Sequence, residues 1–296
     1  MRVVIAGSSG LIGTALREAY ESDGAQVVRL VRRPPRGPKE VRWDPMVVSP
    51  GLLDGANVVI NLAGAGLGDR RWTRKYGEAI RSTRVVAAQT LARAVAKSRP
   101  DVLLSMSGIR FYGIDRGDEV LTESSAPGTT GLLTQVSREW EAATAPASEA
   151  GVRVCHLRTG LVLSGRGGLL PPLIQGCRFG LTGGFWTGHE YWSCVSLHDA
   201  VRAVRFLAEA DEEGPVNVSA PSPMRNADLM RLLRDLLRTR LALPFPIPQA
   251  LLRIGLGRIA DEVFGGLRVL PERLREAGFT FTHPDVEDML RAALSE

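Results

Sequence analysis

The chain has 296 residues, 44% of them hydrophobic and 23% charged, enough apolar material for one large domain or a domain with an appendage, as in an ordinary soluble globular protein. A net charge of +5 comes from basic residues that are all arginine except Lys39, Lys75 and Lys97, and these are interspersed with Asp and Glu rather than gathered in one stripe, so no nucleic-acid partner is expected. Three cysteines (Cys155, Cys177, Cys194) without metal-ligand spacing and four scattered histidines argue against a disulfide framework and a zinc site. No apolar run approaches the roughly 18 residues of a membrane span, and no basic and apolar leader pattern precedes the first strand, so the expectation is a cytoplasmic protein with no membrane partner.

Residues 3–13 read VVIAGSSGLIG, a short β-type run that breaks into Gly7-x-x-Gly10-x-x-Gly13 and then into a helical pattern through Leu16 and Tyr20, predicting a helix over 11–22. Further strands are predicted at 26–31, 57–61, 102–105 and 152–157, with helices at about 74–97 and 132–149 between them. Strand–helix alternation of this kind implies an α/β fold, a Rossmann-type doubly wound parallel sheet with its ligand crevice at the carboxyl ends of the strands. Beyond residue 160 the pattern loosens into glycine-rich stretches at 165–168 and 180–188, around Phe185, Trp186, Tyr191 and Trp192; these read as loops that cover a ligand. A helix over 198–210, a strand at 215–218 and a helix opened by Asn226 and Asp228 follow, with Asp199, Asn226 and Asp228 read as helix-terminus residues. The stretch LPFPIPQ (243–249) reads as a proline-rich hinge, and 250–296 as a helical tail too small to fold alone.

The opening motif is that of a dinucleotide-binding unit. Gly7 permits the tight turn off the strand, Gly10 lets backbone amides approach a pyrophosphate, and Gly13 lets the helix pack close on the sheet. The stretch Ser9, Gly10, Leu11, Ile12 and Gly13 would then hold phosphates at a helix N-terminus. Where an NAD site places an acid for the ribose 2′-hydroxyl, this chain reads Val31-Arg32-Arg33, which favours NADP over NAD because guanidinium forks match a 2′-phosphate; a solvated RRPPR loop is the bland alternative. The third predicted strand ends in Asn61-Leu62-Ala63-Gly64, where small residues let the backbone contact the adenosine half. Arg81 and Arg84 share a helix face, and either could reach a phosphate, Arg84 being the better candidate.

Together GSSGLIG, NLAG, SMSGIRFYG (105–113) and LRTGLVL (157–163) resemble the extended short-chain dehydrogenase/reductase superfamily. More closely, RRW (70–72), REWEAA (138–143), LRTGLVLSGRGG (157–168) and LPERLREAGF (270–279) are similar to the NAD-dependent epimerase/dehydratase family, in its nucleotide-sugar epimerase-like subgroup. The resemblance implies bound NADP(H), with Leu161 among the cofactor contacts. It also implies a division into a Rossmann domain over 1–240, carrying substrate-side insertions from about 161, and a small C-terminal helical domain over 241–296. Catalysis does not carry over: the family's Tyr-x-x-x-Lys positions fall at Leu133 and Ser137, and no lysine follows Lys97. Ser107, at or next to the superfamily's catalytic serine, and Tyr112 are the remaining candidates for contact with substrate or for proton transfer.

The expected activity is therefore that of an NADP(H)-binding epimerase or oxidoreductase acting on a small polar substrate, such as a nucleotide sugar. The competing expectation, motivated by the missing pair, is a non-catalytic NADP(H)-binding redox sensor or scaffold. Pairing of the two long helices into a homodimer is a further expectation.

Overall fold

The computed structural model describes residues 1–239, 245–256 and 259–296. In chain order the elements are β1 (Arg2–Ala6), α1 (Leu11–Ser22), β2 (Gln26–Val31), β3 (Glu40–Arg42), β4 (Val58–Asn61), α2 (Arg74–Ser98), β5 (Val102–Gly108), a single 3₁₀ turn (Ile109–Tyr112), β6 (Val120–Leu121), α3 (Leu132–Ala142), α4 (Ala145–Glu149), β7 (Arg153–Thr159) and β8 (Leu161–Leu163). There follow α5 (Leu170–Arg178), β9 (Tyr191–Trp192), β10 (Cys194–Ser196), α6 (Leu197–Glu209), β11 (Gly214–Val218), β12 (Met224–Arg225), α7 (Asn226–Leu237), α8 (Gln249–Leu256), α9 (Ile259–Phe264), β13 (Arg268–Val269), α10 (Glu272–Glu276) and α11 (Val286–Leu294).

Seven strands form one parallel sheet in the order β11-β7-β5-β4-β1-β2-β3. Strands β1 and β4 at its centre are almost entirely apolar and buried because both faces are covered, while polar side chains enter on β2, β3 and β7. Val3 and Ile5 point to the side where Leu16 and Tyr20 of α1 and Ala200, Val204 and Leu207 of α6 pack. Val4 and Ala6, on the opposite pleat, meet Ala87, Leu91 and Val95 of α2. The strand order reverses between β1 and β4, and in open α/β sheets the carboxyl ends of the strands at such a switch point are where ligands bind.

A third core joins the second half of the chain. Leu163, Leu173 and Cys177 pack with Trp192, Leu229, Met230 and Leu233, and with Phe264, Val286, Met289 and Leu290 from the C-terminal segment. Phe185 and Trp192 stack within it, their rings 5.6 Å apart, and Phe264 lies 4.5 Å from Phe185. Phe185 and Trp192 of the glycine-rich region are thus core residues, where the sequence pattern predicts a ligand cover, while Trp186 and Tyr191 stay half-buried.

The element predictions change in places, two of them on the Rossmann half of the chain being instructive. The helix expected over 132–149 is broken into α3 and α4, because Pro146 lacks an amide donor and its ring opposes the carbonyl four residues back. Thr144 fills the break, its hydroxyl donating to the Glu141 carbonyl at 2.7 Å and lying 2.8 Å from His156 Nε2. Strand β3 is an addition: three residues on the sheet edge are too few to leave a periodic pattern. Residues 243–244 of the expected hinge lie outside the described residues.

Candidate functional site

Gly7 ends β1 with φ +82°, and a Cβ there would lie 2.5 Å from the Leu62 carbonyl oxygen. A Cβ on Gly13 would lie 2.3 Å from the Gly7 oxygen. The first and third glycines are therefore demanded by the protein's own backbone, which comes into close contact where the strands end and the helix begins. Gly10 is different. A Cβ there meets only ordinary contact at 3.6 Å, so the protein itself does not require a glycine at this position. Gly10 is the N-cap residue of α1; no side chain caps the helix and no acid stands in its first turn. Ser9 and Gly10 are exposed, while Leu11 and Ile12 pack on the core. An uncapped helix start with an open approach is a cradle for an anion.

The arginines after β2 have separate fates. Arg32 is exposed and makes no hydrogen bond or ion pair with any described residue. Arg33 instead forms a bidentate pair with Glu40 on β3, both contacts at 2.7 Å, and its fork holds that carboxyl down at about 2. Leu62 and Ala63 follow β4, half-buried, and the Ala63 amide donates to Asn61 Oδ1 at 3.2 Å. Arg84 on α2 lies against Gly64, where a Cβ would sit 3.0 Å from its Cγ, and its guanidinium is 5.3 Å from the Trp140 ring centre. Its Nη1 donates to the Ile80 carbonyl, and it has no carboxylate partner among the described residues; burial brings it down to about 10, so it remains charged at neutral pH. Arg81 is drawn aside into an ion pair with Glu139 on α3.

The catalytic candidates meet in a buried polar network. Ser107 donates to Glu141 Oε1 at 2.7 Å, and the same carboxylate takes a bidentate pair from Arg158, at 2.9 and 2.8 Å. Arg158 also donates to the Tyr112 hydroxyl at 3.0 Å, and that hydroxyl donates to Asn217 Oδ1 at 2.8 Å. The Arg158 guanidinium carbon lies over the Phe111 ring, 3.4 Å from its centre. Tyr112 is fully buried, and burial pushes its phenol up. The structure thus gives Tyr112 the surroundings of a packed aromatic with a satisfied hydroxyl, and gives Ser107 an oriented proton. Glu141 and Arg158 escape a sequence reading because one is on a helix and the other on a strand, with no spacing to connect them.

Leu133 belongs to an apolar cluster with Trp72 and Ile80, and Ser137 is buried with its hydroxyl 4.0 Å from where a Cβ on Gly108 would stand. Leu161 is half-buried on β8, its amide donating to the Ser193 carbonyl. The start of α3 has no cap of its own; Glu262 of α9 reaches across to accept the Leu132 and Leu133 amides. No group of three metal-ligating side chains occurs among the described residues.

Of the helix-terminus readings, Asp199 does stand in the first turn of its helix and has a further role, while the Asn226 cap is revised. Ser196 caps α6, and Asp199 in the first turn accepts the backbone amides of Thr282 and His283, tying the C-terminal segment to the helix. Asn226 is fully buried and caps nothing: its Oδ1 accepts the Phe185 amide and its Nδ2 donates to Glu190 Oε2, fastening the glycine-rich loop. His189 is exposed on that loop.

Residues 3–219 match the NAD dependent epimerase/dehydratase family, and residues 247–293 match a domain of unknown function, DUF1731. The chain is 36% identical over 292 residues to the Epimerase family protein Mb2239 of Mycobacterium bovis, covering 97% of this chain and 96% of the relative. Among solved structures, human epimerase family protein SDR39U1 (isoform 2) with NADPH superposes with a TM-score of 0.91 at 27% identity, covering all of both chains. The nucleoside-diphosphate sugar epimerase of Corynebacterium glutamicum gives 0.82 at 36% identity, covering 99% of this chain and 58% of that one.

Proposed function

Because the chain belongs to the NAD dependent epimerase/dehydratase family, we propose that it is an NADP(H)-dependent epimerase or oxidoreductase acting on a small polar substrate. The observation that carries this reading is the uncapped start of α1 after β1 together with Arg32, which follows the neighbouring strand β2 and has no partner among the described residues. The cradle fits the cofactor's diphosphate, the more so because a human relative of the same fold was crystallised with NADPH. Gly7, Ser9, Gly10, Leu11, Ile12 and Gly13 would hold the diphosphate, Arg32 the 2′-phosphate, with Arg33 shaping the loop beside it. Leu62, Ala63 and Gly64 would border the adenosine half, Arg84 would add charge there, and Leu161 would border the nicotinamide half. When bound, NADP(H) supplies the redox chemistry.

The chain's own contribution to catalysis centres on Ser107. Its proton is fixed on Glu141, so its lone pairs are left to accept a hydrogen bond from a substrate hydroxyl or amide. Tyr112 acts in this reading through Arg158, holding the guanidinium that fixes Glu141. Nucleotide sugars are the first substrate class to test, given the named activity of the Corynebacterium glutamicum relative. The reading includes a cytoplasmic location and a homodimer through α2 and α3, which light scattering would detect.

A panel of sugar nucleotides and carbonyl compounds, followed at 340 nm and by isomer analysis, tests the proposal. Turnover that falls with Ser107→Ala supports it. Tight NADPH binding with no turnover across the panel would favour the alternative, a non-catalytic NADP(H) sensor or scaffold, whose specific support is Leu133 and Ser137 in place of a proton-transfer pair.

A further inference from the structure

The end of β2 lacks the acid that would take a ribose 2′-hydroxyl, yet the neighbouring strand brings a carboxylate to the same loop. Glu40 opens β3 in register with Arg29 of β2, and its side chain is only 2% exposed. Its Oε1 accepts from Arg33 Nη2 at 2.7 Å and lies 2.9 Å from Arg29 Nη2. Its Oε2 accepts from Arg33 Nη1 and from the Arg36 backbone amide, both at 2.7 Å. A carboxylate has about four lone-pair sites, and three hydrogen bonds with one further ionic contact occupy them. No acceptor remains for a sugar hydroxyl.

The same contacts commit Arg33, whose Nη1 also donates to the Pro34 carbonyl at 2.9 Å. Between the two clamped positions lie Pro34 and Pro35, which fix their own φ and push the preceding residue toward extended backbone. Glu40 therefore closes a loop whose interior is already stiff, and Arg32 is left at its mouth, exposed and unpaired among the described residues.

We propose that Glu40 is a positioning residue for cofactor choice: by holding Arg33 and the 32–36 loop it presents Arg32 alone to a 2′-phosphate, and by being saturated it denies an anchor to a 2′-hydroxyl. This rests on the NADP(H) reading above. It assigns unequal parts to two adjacent arginines, Arg32 as the phosphate ligand and Arg33 as the arm by which Glu40 grips the loop.

Calorimetric titration with adenosine 2′,5′-bisphosphate and with 5′-AMP tests it without turnover. Glu40→Ala weakens the bisphosphate about tenfold and leaves 5′-AMP within about twofold. Glu40→Gln, which keeps one acceptor oxygen and the side-chain volume, falls between Glu40→Ala and wild type. Arg32→Ala abolishes the preference for the bisphosphate. Tighter bisphosphate binding by Glu40→Ala would overturn the proposal, since Glu40 would then merely compete for Arg33. Unchanged binding, or equal loss for both ligands in the glutamine variant, would overturn it too. A wild-type protein with no preference for the bisphosphate would instead contradict the NADP(H) reading, so the two failures are distinct.

Discussion

At the scale of single residues, the glycines differ in what they answer to. Gly13→Ala drives a methyl group into the Gly7 oxygen, so it should cost about 1–3 kcal/mol in urea unfolding. Gly10→Ala meets no such contact; its smaller effect on stability should contrast with a larger one on NADPH affinity, read by titration. The buried network offers another comparison. Glu141→Ala leaves Arg158, only 4% exposed, without its counter-ion and should destabilise by about 3–5 kcal/mol. Ser107→Ala removes one hydrogen bond and keeps the ion pair, so it should cost about 1 kcal/mol. Gly7 and Gly13 were legible in sequence because they respond to backbone contacts that recur with this spacing. Glu40 and Asn226 were not: Glu40 acts from an edge strand of three residues, and Asn226 has the sequence position of a helix cap while its side chain holds a loop forty residues away.

Among the elements, those with a strong local signal match closely. Helix α1 and strand β2 fall where the apolar pattern and flanking glycines put them. Helix α3 ends early because one proline outweighs a favourable periodicity, and Glu262, 130 residues along the chain from Leu132, supplies the cap that α3 lacks locally. Asp199 provides a pH test of such long-range ties. Burial alone would raise its carboxyl, but the amides of Thr282 and His283 and the Arg202 guanidinium outweigh that and hold it below its usual 3.8. A folded-state value below the unfolded one means that the contribution to stability is present above the usual Asp range and is lost as the pH falls through the lowered value. Protection factors over 280–294, corrected for the intrinsic pH dependence of amide exchange, should therefore fall in acid, and Asp199→Ala should show the lower protection already at neutral pH. Equal exchange in the variant and wild type at neutral pH would contradict the assignment.

For the whole molecule, the parallel sheet and its switch point follow from strand–helix alternation, which places the crevice before any side chain is considered. The half beyond residue 160 was less legible, since its short strands pair with partners far away in sequence, β8 with β10, β9 with β12 and β6 with β13. Its core draws Phe264, Met289 and Leu290 of the C-terminal segment against Leu173, Leu229 and Leu233. A shared core predicts a single cooperative urea transition for the full chain. Ending the chain at residue 239 should expose that apolar surface and bind a hydrophobic dye; two separate transitions in the full-length protein would contradict the shared core.

The central claim is that the crevice is built for a dinucleotide carrying a 2′-phosphate, and calorimetric titration of the wild-type protein with NADPH and, separately, with NADH tests it most directly. The account predicts that NADPH binds more tightly than NADH by about tenfold or more, with the difference removed by Arg32→Ala. Equal affinity for the two, or binding of neither, would contradict it.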